Sequence, residues 1–218
     1  MPKRETLPIF PLPEVVLFPG MNLPLHIFEE EYKIMINKCL ETDKQFGIVL
    51  EKDDKCAEVG TLALIVDVEK LEDGGMNILT EGKNRFRIVS FVTEEPYCVA
   101  SIEKYEDTKS EIDIPLKKTI KEIKKLSSKA LNISHLVSDE EPLKKIKLPE
   151  DPDELLFLIA GNLTCSCEQK QLILETTSIK ERANNVLTSL KEEIQRLKVL
   201  LENKKTKSEV VKNGKLKI

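Results

Sequence analysis

Apolar and polar positions alternate with two different periods along this chain, and the change of period divides it. From Gln45 to Asp107 the period is that of strands. Phe46-Gly47-Ile48-Val49-Leu50 reads as a short buried strand, closed by the charged turn Glu51-Lys52-Asp53-Asp54-Lys55. A long strand follows within Cys56–Leu71, carrying Val59, Thr61, Ala63, Ile65 and Val68. Asp73-Gly74-Gly75 supplies the positive φ of a tight hairpin turn. Met76-Asn77-Ile78-Leu79 returns, Glu81-Gly82-Lys83-Asn84 is expected to turn again, and Arg85 to Val92 resumes the alternation. Tyr97 to Ile102 gives the last strand. One helix is expected in this half, at about residues 29 to 40, with Tyr32, Ile36, Cys39 and Leu40 on one face.

The second half keeps helical spacing. Leu116, Ile120, Ile123, Leu126 and Ala130 recur every three or four residues on an otherwise lysine-rich segment. Residues 135 to 150 read as a polar connector. Asp151-Pro152-Asp153-Glu154 predicts a helix start, with an acid at the cap, proline at the first helical position and a carboxylate inside the first turn. The run Leu155 to Ala160 behind it is apolar nearly all round, which places that helix inside a bundle. Ser166 with Gln169 and Ser178 with Glu181 have the spacing of capping boxes. The last helix, about Ile179 to Glu202, carries Ile179, Ala183, Val186, Leu190, Ile194, Leu197 and Leu201 on one stripe. At 1.5 Å per residue it would be roughly 36 Å long. That stripe fits packing within its own bundle, and it also fits an exposed seam for self-association. After Asn203 the chain is polar and basic and is expected to fray.

Before the first strand lies LPIFPLPEVVLFPGMNLPLHIFEEEY, residues 7 to 32, with Pro8, Pro11, Pro13, Pro19 and Pro24 among short apolar pairs. Each proline fixes φ and removes a backbone donor, so neither a continuous helix nor a central strand is expected there. Ile9-Phe10 and Val15-Val16-Leu17-Phe18 remain as short extended pieces before a tight run into the helix.

This opening resembles that of the N-terminal, substrate-binding domain of Lon ATP-dependent proteases. The matching residues are Pro11-Leu12, Val16-Leu17-Phe18-Pro19-Gly20, Pro24-Leu25-His26-Ile27-Phe28-Glu29 and Tyr32. The resemblance continues at Val59-Gly60-Thr61-Leu62-Ala63, at Asp73-Gly74, and at Gly82-Lys83-Asn84-Arg85-Phe86-Arg87-Ile88. It returns at Lys170-Gln171-Leu172-Ile173-Leu174-Glu175 with Arg182, and so spans roughly residues 6 to 203. It implies an α+β fold: a β-rich, PUA-like pseudo-barrel over residues 1–112, a helical bundle over 113–205 with a long C-terminal helix, and a basic flexible tail over 206–218. It also implies a stand-alone recognition domain for unfolded or exposed polypeptide, an adaptor or holdase in proteolysis, acting by strand addition at an open barrel edge or by apolar contacts in the cleft between lobe and bundle. A protease or chaperone is the expected companion.

Charge narrows the partners. Residues 1–112 carry 13 Lys and Arg against 22 Asp and Glu, a net −9, whereas residues 113–218 carry 21 against 16, a net +5. Phosphate binding needs clustered cations, so nucleic acid is disfavoured for the acidic half. PUA-like folds elsewhere bind RNA, which keeps an RNA-binding module as the alternative through the basic half. No apolar run approaches the roughly 18 residues of a membrane span, and the proline-broken start forms no signal peptide. Five scattered cysteines (Cys39, Cys56, Cys98, Cys165, Cys167) fit reduced thiols in a cytoplasm.

Catalytic chemistry finds little support. A Cys–His enzyme needs nucleophile, base and orienting group together, and only His26 and His135 are available as base. His26 lies inside the family-like block, where packing or backbone bonding is the plainer reading. Cys165-Ser166-Cys167 has half the ligands of a zinc site without a second pair at ligand spacing. Gly82-Lys83 is followed by Asn84 and lacks the upstream glycine of a phosphate loop. The acidic runs Glu29-Glu30-Glu31 and Asp53-Asp54 are helix-start charges and a solvated turn. No catalytic residue, no cofactor and no metal are expected, and the sequence assigns no binding residue. Counterparts of the Lon ATPase and Ser-Lys peptidase domains are absent from these 218 residues.

Overall fold

A computed structural model describes residues 5–138 and 148–214. Seven strands and five helices follow one another as β1 (Glu5–Pro13), β2 (Asn22–Ile27), α1 (Glu30–Leu40), β3 (Gln45–Lys52), β4 (Lys55–Cys56), β5 (Val59–Lys70), β6 (Met76–Thr93), β7 (Val99–Lys104), α2 (Ile114–Ser138), α3 (Pro152–Asn162), α4 (Cys167–Glu175) and α5 (Ile179–Gly214). Strands β1, β7, β6, β5 and β3 pair in that order, and β3 returns to β1, so the sheet closes on itself. All pairings are antiparallel except that of β1 with β3. Strand β2 flanks the first part of β6, and β4 makes a hairpin with β3 around Asp53 and Asp54, both at positive φ. Asp tolerates that region better than most residues, which suits it to a two-residue hairpin loop.

Closure corrects the expectation for the proline-rich start. Nine residues, Glu5–Pro13, form a strand within the ring despite Pro8, Pro11 and Pro13. Glu5 to Pro8 pair with β7 and Ile9 to Pro13 with β3. Each half therefore has one partner strand, and a missing N–H can face the unpaired side, as on an edge strand. Pro24 sits in β2, whose sole partner among the described residues is β6; this strand replaces the tight run into the helix expected from the sequence. Val15 to Phe18 stay outside any strand, with Val16, Leu17 and Phe18 buried.

A second correction concerns Gly82. No turn interrupts residues 81–84, because β6 runs unbroken from Met76 to Thr93. Gly82 donates its N–H to Met21 O at 2.8 Å and accepts from Gly20 N at 2.8 Å. A Cβ built there would lie 2.3 Å from Phe18 O. Glycine is required here by the close approach of a second backbone, not by a turn.

The helix expected near residues 29 to 40 forms and turns Met35, Ile36 and Cys39 into the barrel, against Phe10, Ile27, Phe46, Ile48 and Ile78. In the bundle, α2 buries Leu116, Ile120, Ile123, Ser127 and Ala130. Asp151 caps α3 by accepting from the N–H groups of Asp153 and Glu154, and Ser166 with Gln169 completes both halves of a capping box on α4. On α5 the residues Ile179, Ala183, Val186, Leu190, Ile194 and Leu197 are buried in the chain's own core. The helix passes its expected end at Glu202 and continues to Gly214. Residues 139–147 of the expected connector and 215–218 of the expected tail lie outside the described residues. Val16, Phe18, Leu50 and Val59 from the β-rich part belong to the same apolar cluster as the helices, so lobe and bundle share a core.

Candidate functional site

Two guanidinium groups lie inside the junction between lobe and bundle. Arg182 of α5 is 0% exposed and Arg85 of β6 is 6% exposed. Arg182 Nη1 donates to Asp107 Oδ2 at 2.9 Å and to Asp153 Oδ1 at 2.5 Å, and Nη2 donates to Asp107 Oδ1 and to Thr176 O. Arg85 reaches the same Asp107 Oδ1 and donates to Leu174 O at 2.6 Å and Thr176 O at 3.2 Å. Both cations lie over the Phe157 ring, Arg182 at 4.4 Å and Arg85 at 5.4 Å from its centroid. Tyr105 supports them, donating its hydroxyl to Glu175 O at 2.7 Å, and Gln171 Nε2 donates to Val59 O at 2.9 Å.

Electrostatics follow from burial. Loss of water lowers the Arg85 pKa, and Arg182 beside it pushes the same way, while Asp107 opposes both. Burial raises the Asp153 carboxyl above the ordinary range, with Arg182 pulling it back. The donors and carboxylates in this cluster are largely satisfied by one another, so its chemistry is that of a clamp: it fixes β6, the segment after β7, α3, α4 and α5 together. At its rim lies a concavity of about 310 Å³ lined by Pro19, Lys83, Asn84, Lys104, Tyr105 and Glu106, among others.

A second concavity, about 260 Å³, opens between α2, α3 and α5. Ala130, Leu131, Leu158, Ile159, Leu190 and Leu197 form its apolar wall. Ser134, Thr164 and Glu193 lie along it, while the Asn162 amide and the Ser127 hydroxyl are turned to the carbonyls of Leu158 and Ile123. Such a groove can take apolar side chains of a partner and offers hydroxyls to its backbone.

The residues weighed for catalysis are spread out. His26 is on β2, its Nδ1 2.9 Å from Asn77 Oδ1, and His135 is in the last turn of α2. All five cysteines are free thiols. Burial raises the pKa of Cys39, to about 11, and of Cys56, Cys98 and Cys165, which keeps those sulfurs protonated and poorly nucleophilic at neutral pH. Cys167 Sγ contacts Glu14 O at 3.0 Å. Among the described residues, no three His, Cys, Asp or Glu side chains gather as a metal site. Nor is any helix among them long and apolar enough to cross a membrane.

Arg85, Gln171 and Arg182 stand in the sequence as family-like positions without an assigned role; the structure brings them to one junction. The available signal was Arg182 itself. It falls three residues after Ile179 and four before Val186, on the buried stripe, where a charge needs buried partners.

Comparison with known proteins agrees with this architecture. The family model of the ATP-dependent protease La (LON) substrate-binding domain matches residues 6–192. A Lon protease of Flavobacterium johnsoniae is 31% identical over 204 residues, covering 89% of this chain and 25% of that protein. Lon protease 2 of Myxococcus xanthus is 32% identical over 206 residues, covering 89% of this chain and 24% of that protein. The chain thus spans about a quarter of the length of these relatives, and their protease domains are not covered. A crystal structure of a Lon N-terminal domain protein from Xanthomonas campestris superposes with a TM-score of 0.64 at 23% identity, over 84% of this chain and 98% of that one. The N-terminal domain of a Mycobacterium avium complex Lon protease gives 0.67 at 21% identity, over 86% and 98%. With a closed β-ring, a helical bundle and a family match from residue 6 to residue 192, this chain belongs to the Lon substrate-binding domain family.

Proposed function

We propose that the chain is a non-catalytic recognition module that binds unfolded or exposed polypeptide segments, as an adaptor or holdase for proteolysis in the cytoplasm. The observation that carries this reading is the match to a substrate-binding domain over residues 6–192, without coverage of the relatives' protease domains. The raised thiols of Cys39, Cys56, Cys98 and Cys165 and the dispersed histidines support the non-catalytic part. The apolar groove between α2, α3 and α5 supplies a surface of suitable chemistry. We also propose a division of labour between a lobe at residues 1–112 and a bundle at 113–205, joined by the arginine clamp, with 206–218 as a basic extension. Val199 and Leu200, exposed on α5 beyond the buried stripe, are the surface for any self-association.

Fluorescence anisotropy of the purified protein against a permanently unfolded polypeptide tests the reading, with the folded form and a structured RNA as controls. Saturable binding to the unfolded chain alone is expected. Binding to RNA alone, steeply weakened by salt, would replace it with the RNA-binding alternative.

A further inference from the structure

The barrel is closed by five strands, yet β6 outruns its partner on one side. The pairing of β5 with β6 ends at Val59 opposite Arg87, and Ile88 N donates to Glu58 O at 2.8 Å. From Ser90 to Thr93 the partner strand is β7 alone, so among the described residues the other side of β6 is an open edge. Here the alternation of burial also stops. Val89, Ser90, Phe91, Val92 and Thr93 are all exposed, with Val89 at 40%, Phe91 at 44% and Val92 at 60%. Such an edge is normally blunted by lysine or proline. Residues 88–93, Ile-Val-Ser-Phe-Val-Thr, contain neither, nor any other charge, and are β-branched or aromatic except for Ser90. Register shifts between Ile88 and Ser90 and between Phe91 and Thr93 make Val89 and Val92 the extra residues. Bulges of this kind re-aim side chains and are frequent beside binding sites.

We propose that the open edge of β6 at Val89–Thr93 is a strand-addition site for an extended, apolar polypeptide segment flanked by lysine or arginine. This rests on the polypeptide-recognition reading and adds a place and a substrate class to it. Main-chain pairing to the edge supplies affinity without a fixed sequence, while Val89, Phe91 and Val92 contact alternate side chains of the guest. The flanks are set by charge. Glu58 lies at one end of the edge and Glu94 and Glu95 at the other, all exposed, in a lobe of net −9 over residues 1–112. An apolar guest with cationic ends complements that arrangement. A second copy of the chain does not: antiparallel self-pairing centred on Phe91 would set Glu94 of each copy opposite Ile88 of the other, beside Glu58.

The test uses the whole chain and fluorescein-labelled peptides with a Val- and Phe-rich centre. One peptide carries lysines at both ends, its twin carries glutamates, and a third has proline in the centre. The lysine-flanked peptide binds, the other two bind about tenfold more weakly, and the amides of residues 89–93 become protected from hydrogen exchange on binding. V89K/V92K, which changes exposed side chains only, weakens binding about tenfold with an unchanged melting temperature. E58K/E94K reverses the preference between the two charged twins, and decides the matter independently if V89K/V92K misfolds. Undiminished binding of unfolded polypeptide by V89K/V92K, with no protection at 89–93, overturns the edge assignment and leaves the recognition reading standing. Absence of binding to every unfolded probe overturns both. A concentration-dependent dimer that V89K/V92K abolishes overturns the choice of guest.

Discussion

Arg182 and Asp107, 75 positions apart, meet fork to fork: both terminal nitrogens of the guanidinium donate to the two oxygens of one carboxylate. This pairing joins the segment after β7 to α5, and Arg85 of β6 closes on the same carboxylate. Asp107 therefore offsets two buried cations at once.

Removing that carboxylate should cost more than removing either arginine's hydrogen bonds. Asp107→Ala leaves Arg85 and Arg182 facing each other with Asp153 as the remaining acid. The expected loss is about 3–5 kcal/mol, the range for breaking a buried ion pair from one side. Urea unfolding of the wild type and of Asp107→Ala measures it. Arg182→Met keeps volume and contact with Phe157 while removing the charge, so it should cost less than Asp107→Ala. The reverse order would show that the cluster does not act as a clamp.

Gly82 makes a sharper prediction about backbone packing. Gly82→Ala drives a methyl into Phe18 O, a backbone atom that cannot rotate away. The expected cost is about 2–4 kcal/mol. Gly74 is the contrast: its φ is +84 and open space surrounds the missing Cβ. Gly74→Ala pays backbone strain alone, about 1 kcal/mol. Thermal melts of the two variants should separate clearly, and equal melting points would remove the close-approach argument.

These two sites mark what sequence could and could not disclose. Asp151 at the start of α3 and Ser166 at the start of α4 were legible because a cap is built within four residues. The α5 stripe was legible through helical spacing. A barrel was implied by the family resemblance alone; the strand pattern did not disclose its closure through β1, because the pairing of β1 with both β7 and β3 joins distant segments, and a proline count argues against a strand that has one neighbour at a time. Gly82 looked like a turn since glycine signals both turns and close approach, and only the position of Phe18 decides between them. The two surfaces proposed for polypeptide were least legible. The groove between α2, α3 and α5 needs three segments placed in space, and the β6 edge is defined by where β5 ends.

The cap on α3 offers a local test. Asp151 accepts from Asp153 N and Glu154 N, both at 3.0 Å. Asp151→Ala should cost about 1 kcal/mol, whereas Asp151→Asn, which keeps an accepting oxygen, should cost a few tenths. Chemical denaturation of the pair measures this, and equal losses would show that the side-chain oxygen is not the cap.

Alkaline pH should loosen the lobe through Cys39. Burial within the barrel raises this thiol from 9.0 to about 11. Above pH 9 the unfolded chain releases the proton while the folded chain keeps it. The unfolded state then binds fewer protons, so stability falls as pH rises, and the fall is complete once the folded thiol also ionises near 11. A shift of this size corresponds to a loss of up to about 2–3 kcal/mol across that window. Tyr32, raised from 10.0 to about 12 by burial and by Glu31 and Glu29 nearby, extends the decline to higher pH. Urea-unfolding free energies of the wild type and Cys39→Ala between pH 8 and 11 provide the measurement. Cys39→Ala starts lower at pH 8, because it leaves a small cavity beside Met35 and Ile36, and then declines less steeply than the wild type, so the two curves converge. Parallel curves would mean that Cys39 does not titrate differently in the folded and unfolded chains, and that the alkaline loss belongs to Tyr32 and to the raised thiols of Cys56, Cys98 and Cys165.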